Sequence, residues 1–324
     1  MKKNPKTTIV VTGCAGFIGS NFISTYLKRF PTHHIVGIDD FSSGKREALS
    51  PHITFYETSI TNKAEIHAIF KKHTPQYVFH FAAIPRVSYS VEHPIESSEA
   101  NIIGTITILD AAATHGVLRV INSSSSSVYG GAKHLPTKEA ENPPNPQSPY
   151  AAQKLSSEIF CALWSSLYGL DTVSLRYFNV YGPGQYGDSP YSTVVSAWLE
   201  GLYFPSQKHP FIEGTGNRSR DLSYIENVVH ANILAAHAKK PLKGAAINIG
   251  NGERHTIKEV GRLIEKYSGR KLVLEKRPSR KGDVTHTHAN CTLAKKRIGY
   301  TPIVPFEEGL QRTVAWFKER IGEE

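Results

Sequence analysis

Tyr150 and Lys154 stand four residues apart in the stretch YAAQKLSSEIFCALW, so on a helix their side chains share one face. A phenol ionises near pH 10 and is a poor base at neutral pH. Adjacent positive charge stabilises the phenolate, and lowering its pKa by about 3 units takes roughly 4 kcal/mol. A phenol so tuned can take the proton of an alcohol while that alcohol is oxidised. A run of hydroxyls, INSSSSSVYG at 121–130, lies upstream. Near the start, TGCAGFIGS spaces Gly13, Gly16 and Gly19 three apart. That spacing suits a tight turn, a close backbone approach to a pyrophosphate and a helix packed against a sheet. Asp39 follows Gly19 by twenty residues. A carboxylate there binds both hydroxyls of an adenosine ribose and repels a 2′-phosphate, which favours NAD over NADP. The cationic nicotinamide ring of NAD and the Lys154 ammonium would then be the two charges beside Tyr150.

These groups need elements to hold them. Thr8–Val11, Ile35–Ile38, Thr54–Tyr56, Tyr77–Phe81, Leu118–Asn122 and Thr172–Tyr177 read as buried strands. Phe17–Arg29, Lys63–Lys72, Ile95–His115 and Tyr150–Tyr168 read as helices among them. Apolar strands without clean alternation, joined by crossover helices, predict an α/β fold with a doubly wound parallel sheet of Rossmann type. The serine run then falls at the carboxyl end of the fifth strand, where such sheets bind ligands. The Pro-rich ENPPNPQSP at 141–149 must be a loop feeding the Tyr150 helix. Beyond Tyr177 the pattern loosens into turns, YGPGQYGDSP and GTGNRSR, with helices expected at Glu226–Ala238, up to Tyr267 behind a Thr256/Glu259 capping box, and from Phe306 to about Arg320. The expected division is an NAD-binding domain over 1–178, to which the chain returns around 222–250, and a smaller, partly interwoven substrate cap over 179–324.

With 324 residues, 40% of them apolar, the chain can bury a sizeable core and is not disordered. Three scattered cysteines, Cys14, Cys161 and Cys291, argue against a disulfide scaffold or a Cys-based zinc site and fit a reducing cytoplasm. His286 and His288 alternate beside Asp283, but without further ligands no metal is expected. No apolar run reaches the roughly 20 residues that span a bilayer, and glycine and threonine end the first apolar run too early for a signal peptide. The net charge of +10 is spread along the chain, densest at 270–297, without an aromatic RNA-binding motif. An anionic metabolite is therefore the expected partner, not nucleic acid or membrane.

Taken together, TGCAGFIGS, DDFSSGKRE (39–47), HFAAIP (80–85), SSSSSVYG, YAAQK, RYFNVYGPGQ (176–185), RDLSYIENVV (220–229), INIGNG (247–252) and RKGDV (280–284) resemble the NAD-dependent epimerase/dehydratase family of extended short-chain dehydrogenases/reductases over nearly the whole chain. The resemblance implies catalytic roles for Ser125, Tyr150, Lys154 and Asn101. For the cofactor it implies Phe17 and Ile18 beside the three glycines, Asp39, Ser43, Ala82, Tyr177, and Tyr150 and Lys154 again. For the substrate it implies Ser125 and Ser126 at the sugar, Asn179 near phosphate and sugar, Arg220 and Arg280 on a diphosphate, Asp283 on the nucleoside and Thr287 in the hexose pocket. Ser59 departs from relatives that carry an aspartate near the adenine. Homodimers built by pairing the Ile95–His115 and Tyr150–Tyr168 helices are also implied, with Ile102, Ile106, Leu155, Ile159 and Leu163 as candidates for the contact.

Family dehydratases place Asp-Glu directly after the catalytic hydroxyl, and the decarboxylases keep the glutamate; here Ser126 and Ser127 stand there and supply neither acid nor base. The pattern is similar to the UDP-sugar 4-epimerases: Tyr150 takes the 4-hydroxyl proton, the C4 hydride goes to NAD, and the 4-ketopyranose turns over before reduction on its other face. Thr287, where a bulky tyrosine narrows the pocket in some relatives, leaves room for an N-acetyl group. UDP-GlcNAc/UDP-GalNAc interconversion is thus the first expectation, with UDP-Glc/UDP-Gal close behind. The alternatives are a UDP-glucuronate 4-epimerase, for which Arg86 supplies a cation, a 4,6-dehydratase, and a non-catalytic NAD- or RNA-binding relative.

Overall fold

The computed structural model describes residues 7–187, 193–205, 210–278 and 284–323. The strands β1 (Thr8–Thr12), β2 (His34–Asp39), β3 (Thr54–Glu57), β4 (Tyr77–His80), β5 (Arg119–Ser125) and β6 (Asp171–Tyr177) join Ala245–Ile249 in one seven-stranded sheet. Its order is Ala245–Ile249, β6, β5, β4, β1, β2, β3, and every pairing is parallel. Successive side chains of β1 enter opposite cores: Ile9 and Val11 on one face, Val10 on the other. Burial on both faces explains the unalternating apolar runs.

The chain winds outward from β1 in both directions, so the loops after β1 and β4 splay apart and open a crevice at their carboxyl ends. Thr12 pairs with Ile38 and with His80, His80 with Asn122, and Ser125 with Tyr177, which sets these residues along one rim. A buried imidazole ties this rim to the helical layer. His80 Nδ1 meets Thr12 Oγ1 at 2.7 Å and its Nε2 meets Thr105 Oγ1 at 3.0 Å. Burial pushes its pKa down to about 3, so it is neutral and can donate on one side and accept on the other.

The helices include α1 (Phe17–Arg29), α2 (Lys63–His73), α3 (Val87–Glu92), α4 (Pro94–Ser98), α5 (Thr105–Thr114) and α6 (Pro149–Leu167). The single helix expected over 95–115 is instead α4 and α5 joined by a wider π-helical turn, Glu99–Gly104. Two side chains cap helix starts, and the second of them, Thr256, is expected from the sequence. Ser148 caps α6 by accepting the Ala151 N–H at 3.2 Å, with Pro149 at its first position. Thr256 accepts the Glu259 N–H at 3.1 Å at the head of Ile257–Ser268. The return half of that capping box is missing, because Glu259 Oε1 meets His255 Nδ1 at 3.2 Å instead. The helices Val194–Tyr203, Ile257–Ser268 and Phe306–Arg320 share an apolar core with the sheet. Trp198, Tyr181, Phe306 and Phe317 continue the same apolar cluster that includes Ile9, Phe79 and Val173 of the sheet.

Candidate active site

A cavity of about 890 Å³ runs along the carboxyl rim of the sheet. At one end the glycine turn closes it. Gly13 has φ +67°, and a Cβ there would stand 2.7 Å from the Ala82 amide nitrogen. A Cβ on Gly19 would strike the Gly13 carbonyl, so α1 packs against the turn only because that position is bare. No side chain caps α1 and no acid lies in its first turn, which leaves its N-terminal field to an anion. Asp39, at the end of β2, accepts the Ala15 N–H at 2.9 Å on one oxygen and the Phe41 N–H at 2.8 Å on the other. Burial raises its pKa and those two donors oppose the rise. Gly16, Phe17, Ile18, Ser43 and Ala82 line the same stretch, as does Ser59. A bare-glycine cradle beside a fixed carboxylate fits the pyrophosphate and ribose of NAD.

At the other end lie the serines and the tyrosine. β5 ends at Ser125, whose hydroxyl accepts the Ser127 N–H at 3.1 Å and so starts a short 3₁₀ turn, Ser126–Tyr129. Tyr150 is the second residue of α6, and its N–H donates to Ser90 Oγ at 3.0 Å. Ser125, Ser126, Tyr150 and Tyr177 all line the cavity. The Tyr177 hydroxyl sits 3.2 Å from Ser123 Oγ. Lys154 is buried one turn beyond Tyr150; its Nζ donates to the Ser123 carbonyl at 2.8 Å and lies 5.9 Å from the Tyr150 ring centre.

The expected depression of the phenol does not come from these protein groups. Burial pushes Tyr150 up to about 12, and a hydrogen bond with Ser125 pulls it only partly back. Burial also pulls Lys154 down to about 8, with Cys161 and Glu158 opposing. The lysine is thus a reluctant cation turned to a backbone carbonyl, and the phenol stays a proton donor until further positive charge arrives.

Asn101 does not line the cavity. The π turn points its amide at the loop after β4, where Oδ1 accepts the Ile84 N–H at 2.8 Å and Nδ2 donates to the Ile84 carbonyl at 3.1 Å and to Gln153 Oε1 at 2.8 Å. It holds the backbone that leads to Arg86, which does line the cavity. On the far wall Asn179 Nδ2 donates to the Asp221 carbonyl at 3.0 Å and to Thr287 Oγ1 at 3.1 Å. Thr287 Oγ1 also accepts the Asp221 N–H at 3.0 Å, so its hydroxyl is committed to the wall. Asp221 in turn accepts from Asn251, Gly252 and Ala289 backbone nitrogens. Arg220 borders the cavity with Nη1 on the Ser219 and Thr285 carbonyls. Arg280 and Asp283 lie outside the described residues.

Tyr129, Tyr186, His286 and Trp316 also line the cavity and were not singled out as site residues. Trp316 belongs to an amphipathic terminal helix whose pattern reads as core. Tyr186 stacks its ring under Lys45 Nζ at 3.7 Å, a contact between distant segments that no local spacing announces. Among the described residues no group of three or more His, Cys, Asp or Glu is placed to hold a metal.

Residues 9–250 match the NAD dependent epimerase/dehydratase family. A UDP-glucuronate 4-epimerase of Thermodesulfobacterium geofontis is 33% identical, over 96% of both chains. The crystal structure of the UDP-glucose 4-epimerase of Thermotoga maritima with UDP-glucose superposes with a TM-score of 0.91 at 36% identity, covering 97% of this chain and 100% of that one. A UDP-N-acetylglucosamine 4-epimerase of Methanobrevibacter ruminantium, in complex with UDP-N-acetylmuramic acid, gives a TM-score of 0.89 at 35% identity, covering 97% and 99%.

Proposed function

Because the chain belongs to the NAD dependent epimerase/dehydratase family, we propose that it inverts the C4 hydroxyl of UDP-N-acetylglucosamine and UDP-N-acetylgalactosamine, with UDP-glucose and UDP-galactose as further substrates. It is an NAD-dependent UDP-sugar 4-epimerase, an isomerase. The observation that carries the reading is the convergence of Ser125 and Tyr150 on one cavity with the glycine cradle, while serines stand where an elimination needs carboxyl groups.

NAD, held by the glycine cradle and Asp39, would supply the acceptor and donor for the C4 hydride and a positive charge for the site. The protein does the rest. Tyr150 takes the 4-hydroxyl proton and later gives one back, Ser125 steadies the phenol by its hydrogen bond, and buried Lys154 adds a nearby positive charge. Gly13, Gly16 and Gly19 receive the pyrophosphate, and Asp39 the ribose. Arg220 and Arg280 grip the nucleotide diphosphate and Asp283 the nucleoside, so that the hexose can turn. In this division residues 1–178, with the return at 222–250, serve the cofactor, and 179–324 the substrate. Thr287 supports the N-acetyl reading because its small side chain is fastened to the wall. A uronate is the second reading, favoured by Arg86 on the same cavity.

The helix α4, the π turn and α6 leave apolar side chains exposed, with Ile95 at 77% and Ile159 at 51% accessible. We assign them to a homodimer contact. Among the described residues no helix is long and apolar enough to cross a membrane, and all three cysteines are free, which fits the cytoplasm.

The test is incubation with NAD and UDP-glucose, UDP-N-acetylglucosamine or UDP-glucuronate, followed by chromatography. The expected result is a C4-epimer mixture from UDP-N-acetylglucosamine. A keto-deoxy product makes the enzyme a dehydratase, and conversion of the uronate alone replaces the N-acetylhexosamine.

A further inference from the structure

A buried ion pair lies directly behind the serine turn and does not line the cavity, although its Glu158 also favours the Lys154 charge. Glu158 of α6 and Arg176 of β6 are each 6% exposed. They meet as a two-pronged fork, Nε to Oε1 at 2.8 Å and Nη2 to Oε2 at 2.6 Å. A buried pair of this kind is seldom the most stable filling for its space, since desolvation offsets most of its attraction. What it touches next is therefore the informative part. The Ser124 hydroxyl donates to Glu158 Oε1. Arg176 Nη1 donates to the Tyr129 hydroxyl at 2.8 Å, and that hydroxyl donates onward to Asn248 Oδ1 at 2.7 Å. Ser124 and Tyr129 flank the turn that carries Ser125 and Ser126, so one ion pair grips both ends of the segment.

The grip extends on both sides. Glu158 is one helical turn beyond Lys154, and so two turns beyond Tyr150, on the same face of α6. Asn248 Nδ2 donates to the Thr137 carbonyl at 2.9 Å, and Thr137 N–H donates to the His288 carbonyl at 2.7 Å, next to Thr287. The fork thus lies between the helix of the phenol, the turn of the serine and the wall of the sugar pocket. We propose that the Glu158–Arg176 pair is a positioning clamp that fixes the Ser125 hydroxyl toward Tyr150. It rests on Ser125 acting in turnover, as proposed above.

The test is a double variant, Glu158→Leu with Arg176→Met, which removes both charges and strands neither. It is made in the wild-type and the Ser125→Ala backgrounds and assayed with UDP-N-acetylglucosamine and UDP-glucose. In the wild-type background kcat falls about 10- to 100-fold while KM stays within about twofold. In the Ser125→Ala background the same pair of changes moves kcat by less than about twofold, because the group it acts through is gone. An equal loss in both backgrounds, or none in the first, overturns the clamp. If Ser125→Ala alone leaves turnover intact, the serine's own role fails instead, which is a separate result. Should the double variant not fold, Glu158→Gln, which keeps the shape and one acceptor for Ser124, is judged by the same two-background comparison.

Discussion

Tyr150 and Lys154 show how burial alone can set two groups against their ordinary chemistry. The phenol is pushed up to about 12 and the ammonium down to about 8, so the phenol is held protonated while Lys154 keeps its charge at pH 7 by a narrow margin. For Tyr150→Phe we expect a loss of about 10²–10⁴-fold in kcat with little change in Tm, since one proton carrier is removed from an otherwise intact cavity. Lys154 carries a stability consequence as well. Its pKa falls from 10.5 in the unfolded chain to about 8, so below pH 8 the folded state bears a buried charge that the unfolded state solvates freely. That cost disappears once both states are neutral, above about pH 10.5. Lys154→Met is therefore expected to raise the unfolding free energy by about 1–3 kcal/mol at pH 7, after the lost Ser123 hydrogen bond is allowed for. The gain shrinks between pH 8 and 10.5 while turnover is lost throughout. Urea titrations across that window check it, and a variant destabilised at pH 7 would contradict it.

At the scale of elements, the π turn Glu99–Gly104 does what a regular helix could not. It lets Asn101 reach both polar backbone groups of Ile84 and the side chain of Gln153 together. Asn101→Ala strands those groups in a buried site. We expect a cost of about 2 kcal/mol in stability, with a raised KM because the loop leading to Arg86 loosens. Thr256→Ala makes the contrast: it removes one helix cap from a residue that does not line the cavity and keeps its backbone pairing with Ser219, so it costs about 1 kcal/mol and moves KM and kcat by less than about twofold. Denaturant midpoints and steady-state kinetics on the two variants separate the roles. The same comparison explains what the sequence does and does not reveal. Strands, caps and the Gly13–Gly19 turn are local: their residue types, spacing and backbone demands lie within a few positions of one another. The π turn leaves no mark, because EANIIGT carries the apolar spacing of any helix. The Glu158–Arg176 fork joins residues eighteen apart through the fold, and its only local trace is a charged residue inside the otherwise uncharged strand TVSLRY.

The whole molecule is held as one body by its largest apolar cluster, which runs from the sheet through Trp198 and Phe306 to Phe317 of the last helix. Cofactor cradle and sugar wall therefore share a core, and the walls of the cavity cannot drift independently. One apolar surface is left out of that core. Ile95, Ile103, Ile159, Leu163 and Leu167 stand exposed on α4, the π turn and α6, with Leu167 68% accessible, while of the other residues expected at the contact Ile102 and Ile106 are half-buried and Leu155 packs into the core beside Val128 and Phe178. Scattered exposed leucines are ordinary, but side chains grouped on α4, the π turn and α6 form the surface we assign to a dimer contact. A second copy of the chain, related by a twofold axis, would lay these surfaces against each other and bury them at the rear of both Tyr150 helices. Placing carboxylates on that apolar contact is enough to test it. Ile159→Glu with Leu163→Glu places two charges into each half of a symmetric interface, four in all, at a face that the monomer already exposes to water. The monomer fold therefore tolerates the change, whereas the pair does not. Sedimentation velocity is expected to show a dimer for the wild type and a monomer for the variant, with turnover falling as α6 loses its rear support. A wild type that sediments as a monomer at micromolar concentration would remove the dimer and leave the surface without that role.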